Sequence, residues 1–256
     1  MRFRFTVFAC LAATFSARAE ILPPDTAFAE YLVAPVHVHR FVTKGELNLT
    51  TTLEAKDLER IFTKVNRIWG HAGIHVPIEK LITEPAANPV IYRQNHRARQ
   101  LGWLRELRPA NSGDKNRFHI YYLKRFRANG VYLGAGAMFV KDTARLFDVK
   151  DGVDEPIPRV TAHEIGHAFT LRHRQAGTNL LASGTTGWTL NEAEIKQVRT
   201  AAKRMKWIRP ATEILKQADA LFEKGDKKAA AKLYRLIVGI PLTCPETARA
   251  KKRSGL

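Results

Sequence analysis

Residues 163–173 read His-Glu-Ile-Gly-His-Ala-Phe-Thr-Leu-Arg-His, and this stretch decides how the middle of the chain folds. Two histidines four residues apart on a helix lie about 40° apart around its axis, so both imidazoles can bind one metal ion. Glu164 stands between them, where it can accept a proton from a water molecule beside that ion. A third histidine follows at the spacing of an extended zinc site. The pattern predicts His163, His167 and His173 as metal ligands and Glu164 as a general base.

This motif resembles that of the metzincin clan of zinc peptidases, H-E-x-x-H-x-x-G-x-x-H followed by a methionine-bearing turn. The order of elements is also similar over about residues 35–205: an early strand, a helix ending near residues 66–75, a second strand and then the motif helix. The resemblance implies an α+β catalytic domain with a twisted mixed sheet, one catalytic Zn2+ and hydrolysis of a protein or peptide substrate.

Two residues depart from the family's pattern. On a continued helix His173 would lie about 240° around the axis from His167, so the chain must leave the helix before it. Glycine does so at little cost through a positive φ, whereas Thr170 stands here and a β-branched residue disfavours that conformation. Either the turn takes another backbone route or His173 is not a ligand. Leu181 stands near the methionine position, where it preserves the apolar volume expected beneath the metal.

A downstream glutamate is the alternative third ligand, as in the thermolysin-like clan. Glu192 and Glu194 lie in the first turns of a predicted helix, where capping and the helix dipole also favour acidic side chains. We therefore favour His173. No tyrosine follows at the position that some relatives use, so the group that stabilises the transition state is unassigned.

Two other functions stay open from the sequence. One is a non-catalytic envelope or scaffold protein with a structural or lost zinc site, and the other is a zinc amidase acting on a cell-wall polymer. Thr170 and Leu181 keep the first open, but Glu164 argues against it because a structural site needs no base. The acidic loop at 148–155 offers oxygen ligands for calcium, although Lys150 interrupts it and an exposed turn is the favoured interpretation.

The first 19 residues have the pattern of a secretory signal peptide: a basic start, an apolar run over 5–15, and Ala17-Arg18-Ala19 as the cleavage site. We therefore expect a secreted, periplasmic or cell-envelope protein. Neither this run nor any later segment reaches the length of an integral membrane span. Loss of the three signal arginines lowers the formal charge from +18 to +15, which favours acidic partners. Cys244 would then be the remaining cysteine, so no internal disulfide is expected.

The most basic stretch, residues 93–127, has ten Lys or Arg against Glu106 and Asp114. It predicts either a patch that binds an acidic polymer or protein, with Tyr92 and Trp103 as stacking surfaces, or an insertion with a solvated basic face. We favour the second. The insertion is predicted at about 84–117, largely as loop because of its prolines, with a short helix over 97–107.

The rest of the chain shows helical and strand periodicities. Apolar spacing predicts a helix over 53–71, capped by Thr51 or Thr52, and alternation predicts strands at 36–39, 74–78 and 118–126. Between 130 and 140 we expect a turn and a short strand near the cleft, where an edge strand could pair with an extended peptide. Histidines outside the motif are interpreted as structural or surface residues: His37, His39, His71 and His75.

The pattern changes after Pro210. The following residues resemble one tetratricopeptide-type helical hairpin, so we predict a catalytic domain over 20–209 and a helical appendage with a basic tail over 210–256. One such unit cannot bury its own apolar face. We therefore expect the hairpin to dock on the catalytic domain, to pair with a second chain or to bind a partner protein.

Overall fold

A computed structural model describes residues 28, 30–112, 114, 116–150, 155–240 and 250–253. The predicted signal peptide at 1–19 lies outside these residues. The described chain has the predicted α+β class. None of its helices combines the length and the apolar content that crossing a bilayer requires.

Strands and helices alternate through the first two thirds of the chain, and helices dominate the last third. The strands are β1 (Leu32–Val33), β2 (Val36–Phe41), β3 (Ile74–His75), β4 (Ile78–Glu84), β5 (Phe118–Leu123), β6 (Gly130–Tyr132), β7 (Ala137–Lys141) and β8 (Arg209–Pro210). The helices are α1 (Ala55–Gly70), α2 (Pro89–Asn95), α3 (Pro156–Ala168), α4 (Glu192–Arg204), α5 (Ala211–Glu223) and α6 (Lys227–Val238).

A five-stranded sheet forms the centre of the molecule, in the order β4-β2-β5-β7-β6. The first four strands are parallel, and β6 runs antiparallel to β7 at one edge. β5 is buried at every residue, as expected for a strand covered on both faces. Helices α1 and α3 pack together, with α3 also against β6 and β7, and this brings the motif helix to the antiparallel edge.

Helix α1 confirms the periodicity prediction, but its predicted cap is wrong. Glu54 is the N-cap and forms a reciprocal capping box with Asp57. Thr51 and Thr52 instead donate to the buried carboxylate of Asp142, which also accepts the backbone N–H of Thr52 at 2.6 Å. That carboxylate lies just beyond β7, so a long-range contact outcompetes the local cap.

The insertion contains more regular structure than predicted. The expected loop near Pro89 is helix α2, because proline fits the first turn and the Asn88 side chain accepts the Ile91 N–H at 3.2 Å. The expected helix over 97–107 is a shorter 3-10 helix, Gly102–Leu107. Buried side chains from this region, including Leu104 and Leu107, cover the second face of the sheet.

The histidines of the five-stranded sheet have polar partners, in line with the structural role interpreted from the sequence. His39 is buried between Glu84, at 2.5 Å from its Nδ1, and His119, at 3.0 Å from its Nε2. Burial, with the neighbouring His119 and His37, lowers the pKa of His39 to about 3. Burial alone lowers the pKa of His75 to about 3.

The C-terminal hairpin docks on its own chain. Helices α5 and α6 confirm the predicted pair, and their apolar faces form a buried cluster with Tyr31 and Val33. Strand β8 pairs antiparallel with β1 directly before α5, which fixes where the hairpin begins. Arg253 in the basic tail closes the unit through an ion pair with Asp219 at 2.8 Å.

Candidate metal centre

Helix α3 carries the motif from the core to the floor of a surface pocket. Pro156 occupies its first turn, where the missing N–H has no helical partner to lose. Ile165 and Ala168 belong to the main hydrophobic core and anchor one face of the helix. This anchoring also fixes the direction of the opposite face. That face presents His163 and His167, one turn apart, to the solvent side.

Thr170 adopts the left-handed conformation that the family pattern assigns to glycine, with φ of 70°. The Leu171 N–H donates to the Gly166 carbonyl and the Thr170 N–H to the His167 carbonyl, both at 3.0 Å, which together form a Schellman motif. The Gln197 amide donates to the Thr170 carbonyl at 2.9 Å and holds the turn from outside. The sequence left open another backbone route or a His173 outside the site, and the structure shows neither: Thr170 itself takes the glycine-type route, and His173 joins the other two histidines.

Replacing Thr170 by glycine tests this turn. A β-branched residue in the left-handed region costs about 1–2 kcal/mol, and glycine removes that strain at the expense of a more flexible unfolded chain. We expect the free energy of unfolding to rise by up to about 1 kcal/mol in urea titrations, with metal content unchanged. Thr170→Ala, which keeps a Cβ, should gain less. Loss of metal in the glycine variant would contradict the observed route of the turn.

The turn brings the third histidine back to the other two. The Nε2 atom of His167 lies 3.1 Å from Nε2 of His163 and 3.1 Å from Nε2 of His173. All three atoms lie within 4.8 Å of one another, and no other group of three or more His, Cys, Asp or Glu side chains in the described chain meets this criterion. The cluster could hold a metal ion.

Backbone carbonyls determine which nitrogen of each ring is free. Nδ1 of His163 lies 2.7 Å from the Leu180 carbonyl, and Nδ1 of His167 lies 2.9 Å from the Leu171 carbonyl. A carbonyl can only accept, so each Nδ1 carries the proton and each Nε2 presents a lone pair. Two lone pairs cannot form a hydrogen bond with each other, so the close Nε2 atoms repel. A cation placed between them would bind the lone pairs and relieve that repulsion. The donor set therefore fits a divalent metal that prefers imidazole nitrogen.

The neutral protonation state of the histidine rings also favours binding of a metal cation. Burial, together with the neighbouring His167, lowers the pKa of His163 to about 4. Burial likewise lowers the pKa of His167. Both rings are therefore neutral at physiological pH, which is the state that binds metal.

Leu181 forms the apolar floor that the sequence predicted. It is fully buried, and a Cβ added at Gly166 would lie 3.3 Å from both Leu181 methyl groups. The helix therefore rests on this side chain between its two histidines. The preceding residue, Leu180, supplies the carbonyl that orients His163, so this one turn both supports the helix and fixes the orientation of that ring.

Glu164 lines the pocket beside the cluster. The pocket has a volume of about 260 Å³ and is also lined by His163 and His173. Burial raises the pKa of Glu164 to about 8, and the Tyr132 backbone N–H, which bonds to the carboxylate, opposes that rise. A divalent cation in the adjacent cluster would favour the ionised carboxylate and so make the group available as a base.

Edge strand β6 approaches the Glu164 side chain so closely that only glycine fits at position 130 without a shift of its neighbours. A Cβ at this position would lie 2.6 Å from Oε1 of Glu164 and 2.5 Å from Cγ1 of Val160. A side chain would have to displace the carboxylate or the helix. The glycine therefore lets β6 and α3 position Glu164 from opposite sides.

Replacing Gly130 by alanine is expected to displace the Glu164 carboxylate while leaving the histidines intact. A displacement of about 1 Å costs up to about 100-fold in rate, and overpacking costs about 1–3 kcal/mol of stability. For the hydrolytic activity proposed below, we expect kcat/KM to fall by about 100-fold with metal content unchanged. Gly102→Ala is the matched control, because the atom nearest to its added Cβ is 3.7 Å away. Equal activity in the two variants would contradict the tight approach.

The glutamates proposed as alternative ligands are used elsewhere. The Glu194 carboxylate accepts from Arg174 Nε at 2.9 Å and from Asn179 Nδ2 at 2.8 Å, and it closes the capping box of α4 with Asn191. Glu192 is exposed. Neither belongs to the histidine cluster, so the arrangement favours His173 as the third ligand.

The acidic loop at 148–155, for which calcium was the less favoured interpretation, is described only in part. Residues 151–154 lie outside the described residues, and the one described carboxylate that follows them, Glu155, pairs with Arg60 and Lys64. That pairing joins the start of α3 to α1.

Sequence reasoning placed a short strand of 130–140 near the cleft but gave no role to Gly130 or Tyr132. Both act on Glu164 through β6, and the close approach of β6 to α3 has no local signal in the sequence. Arg159 also lines the pocket, and its spacing four residues before His163 on the same helix could have identified it.

Comparison with known proteins adds no family to this description. No protein-family model matches the chain, and no curated protein is significantly similar to it. The chemistry of the site therefore rests on the geometry above.

Proposed function

We propose that this protein is a zinc-dependent peptidase of the metzincin type, with His163, His167 and His173 as zinc ligands and Glu164 as the general base. The observation that carries the proposal is the convergence of three Nε2 atoms beside a buried carboxylate. Three imidazoles with an open position are the typical ligand set of catalytic zinc. A purely structural site would have no need of Glu164, so the arrangement favours catalysis over a scaffold role.

Residues in and around the pocket have separate roles in the proposed hydrolysis. When bound, zinc would act as a Lewis acid toward the scissile carbonyl and lower the pKa of water in the pocket. Glu164 accepts a proton from the attacking water at its carboxylate and returns it to the leaving amine. The Tyr132 N–H and the absence of a side chain at Gly130 hold that carboxylate in position. The Leu180 and Leu171 carbonyls keep the proton on Nδ1 of the two helical histidines.

Strand β6 supports a peptide as the substrate. It forms one edge of the sheet and borders the pocket through Gly130. An extended peptide added to such an edge gains main-chain hydrogen bonds whatever its sequence. A peptide bound along β6 would present its backbone to Glu164 and to the histidine cluster.

The proposal is tested by metal analysis together with a mixed peptide library. We expect purified residues 20–256 to contain one zinc per chain by mass spectrometry and to cleave members of the library. A chelator should stop cleavage, and added Zn2+ should restore it. Activity that survives complete removal of metal, or a zinc-loaded protein that cleaves no peptide, would overturn the proposal.

A further inference from the structure

Two further cavities have walls that include residues adjacent in sequence to those of the metal-site pocket. Their volumes are about 390 and 530 Å³, and they share Asn48, Arg125 and Phe126 in their walls. Six cationic side chains line them. We call this group the basic cleft: Arg97, Lys124, Arg125, Arg127, Lys141 and Arg145.

The basic cleft holds positive charges that the described residues do not neutralise locally. No carboxylate among the described residues lines either cavity. Asp142, which follows Lys141 in sequence, turns away and binds Thr51 and Thr52. Besides burial, the charges of Arg125 and Arg145 lower the pKa of Lys141, so these cations lie close enough to repel one another. An anionic ligand would relieve that repulsion.

The sheet topology creates the cleft. Lys124 directly follows β5 and Lys141 ends β7, two adjacent parallel strands. The carboxyl ends of parallel strands commonly form ligand sites in sheets of this kind. The cleft therefore differs from the predicted patch at 93–127, because Lys141 and Arg145 come from a later part of the chain.

The basic cleft and the metal-site pocket are lined by neighbouring residues of the same two chain segments. Arg127 lines the cleft and Ala128 lines the pocket, while Arg145 lines the cleft and Leu146 lines the pocket. Asn129 joins the two segments, since its Oδ1 accepts the Arg145 N–H at 3.2 Å. Arg127 is three residues from Gly130, which limits their Cα separation to about 11 Å. A chain that lies along β6 can thus reach the cleft within a few residues.

We propose that the basic cleft binds acidic side chains of the peptide substrate, at one end of the segment that lies along β6. This inference rests on the proposed function.

A nucleic acid fits the cleft less well, because single-stranded nucleic acid binds on exposed aromatic platforms. Phe126, which lines both cavities, is buried. Tyr92 and Trp103, the stacking residues predicted from the sequence, pack on each other at 5.9 Å, and the Tyr92 hydroxyl donates to the Arg125 carbonyl.

The test measures binding of labelled peptides to full-length Glu164→Gln protein by fluorescence anisotropy. The probes are a short neutral peptide and the same peptide with a run of glutamates at its amino end or at its carboxyl end. We expect one of the two acidic peptides to bind at least about fivefold more tightly than the neutral one, and less so in high salt. Simple attraction to a basic protein would favour both acidic peptides equally, and that result would overturn the proposal.

Matched charge variants locate the effect. Arg125→Gln with Arg145→Gln should abolish the preference for the acidic peptide while leaving binding of the neutral peptide unchanged. Arg204→Gln with Arg235→Gln removes the same charge from exposed positions on α4 and α6 and should leave the preference within about twofold of the parent. Equal loss in both double variants would overturn the proposal. Tighter binding of a single-stranded oligonucleotide of equal charge would overturn it in favour of nucleic acid.

Failure of the cleft and failure of the proposed function give different results. If zinc-loaded protein cleaves the neutral peptide and glutamates at neither end improve binding, the cleft proposal fails and the peptidase stands. If the Arg125 and Arg145 substitutions weaken acidic-peptide binding but wild-type protein cleaves no peptide, the cleft binds anions and the peptidase proposal fails.

Discussion

Replacing Glu164 by glutamine is expected to remove nearly all peptide hydrolysis while leaving the metal in place. Glutamine has the shape of the glutamate and can occupy the same buried position, but it cannot accept the proton of the attacking water. A general base contributes about 10²–10⁴-fold to rate, so kcat/KM should fall by that factor. The measurement is peptide cleavage by variant and parent at matched zinc content. An active Glu164→Gln protein would exclude this residue as the base.

The same variant has a second readout in metal-free protein. Burial raises the pKa of Glu164 above its ordinary value, to about 8. The folded state therefore binds a proton that the unfolded state releases above about pH 4.5, and stability falls as pH rises from there toward 8. At neutral pH the cost is on the order of 3 kcal/mol. Metal-free Glu164→Gln should show a flatter dependence of unfolding free energy on pH than the parent, and equal slopes would contradict the assigned burial.

Replacing His173 by alanine is expected to remove most of the metal. His173 is exposed and follows a turn outside the helix, so its substitution should leave the core and the folding of α3 unchanged. Loss of a supporting partner costs about 10–100-fold in metal affinity, and loss of a direct ligand should cost more than about 100-fold. Zinc content after equilibration with a chelator of known affinity gives the measurement.

Two glutamate variants are the controls for His173. Glu192→Gln changes an exposed carboxylate, and Glu194→Gln changes the one that caps α4, yet both keep the three imidazoles. We expect both to retain zinc. Retention of zinc in His173→Ala, together with its loss in a glutamate variant, would transfer the third ligand to the downstream helix and contradict the metzincin-type assignment.

The candidate site was largely predictable from local spacing. Ligands at His163 and His167 follow from helix geometry, because residues four apart share one face whatever surrounds them. The α+β class and helices α1, α5 and α6 follow from apolar periodicity for the same reason. Short-range alternatives were harder to resolve, as the wrong cap at Thr51 or Thr52 and the unpredicted helix at Pro89 show. At Thr51 and Thr52, the distant Asp142 carboxylate decided which hydrogen bonds form. At Pro89, the capping side chain of Asn88 decided between a loop and a helix of similar local free energy.

The amino-acid sequence by itself determined the histidine spacing, the glutamate between the helical pair and the excess of positive charge. Only the tertiary structure decided how these features combine. It held Thr170 in a conformation that its side chain disfavours, through the Schellman bonds and Gln197, and so turned His173 toward the other ligands. It also brought the ends of β5 and β7 together to form the basic cleft beside the pocket. Local propensities are worth about 1 kcal/mol or less per residue, so contacts between distant segments overrule them wherever several such contacts act on one turn.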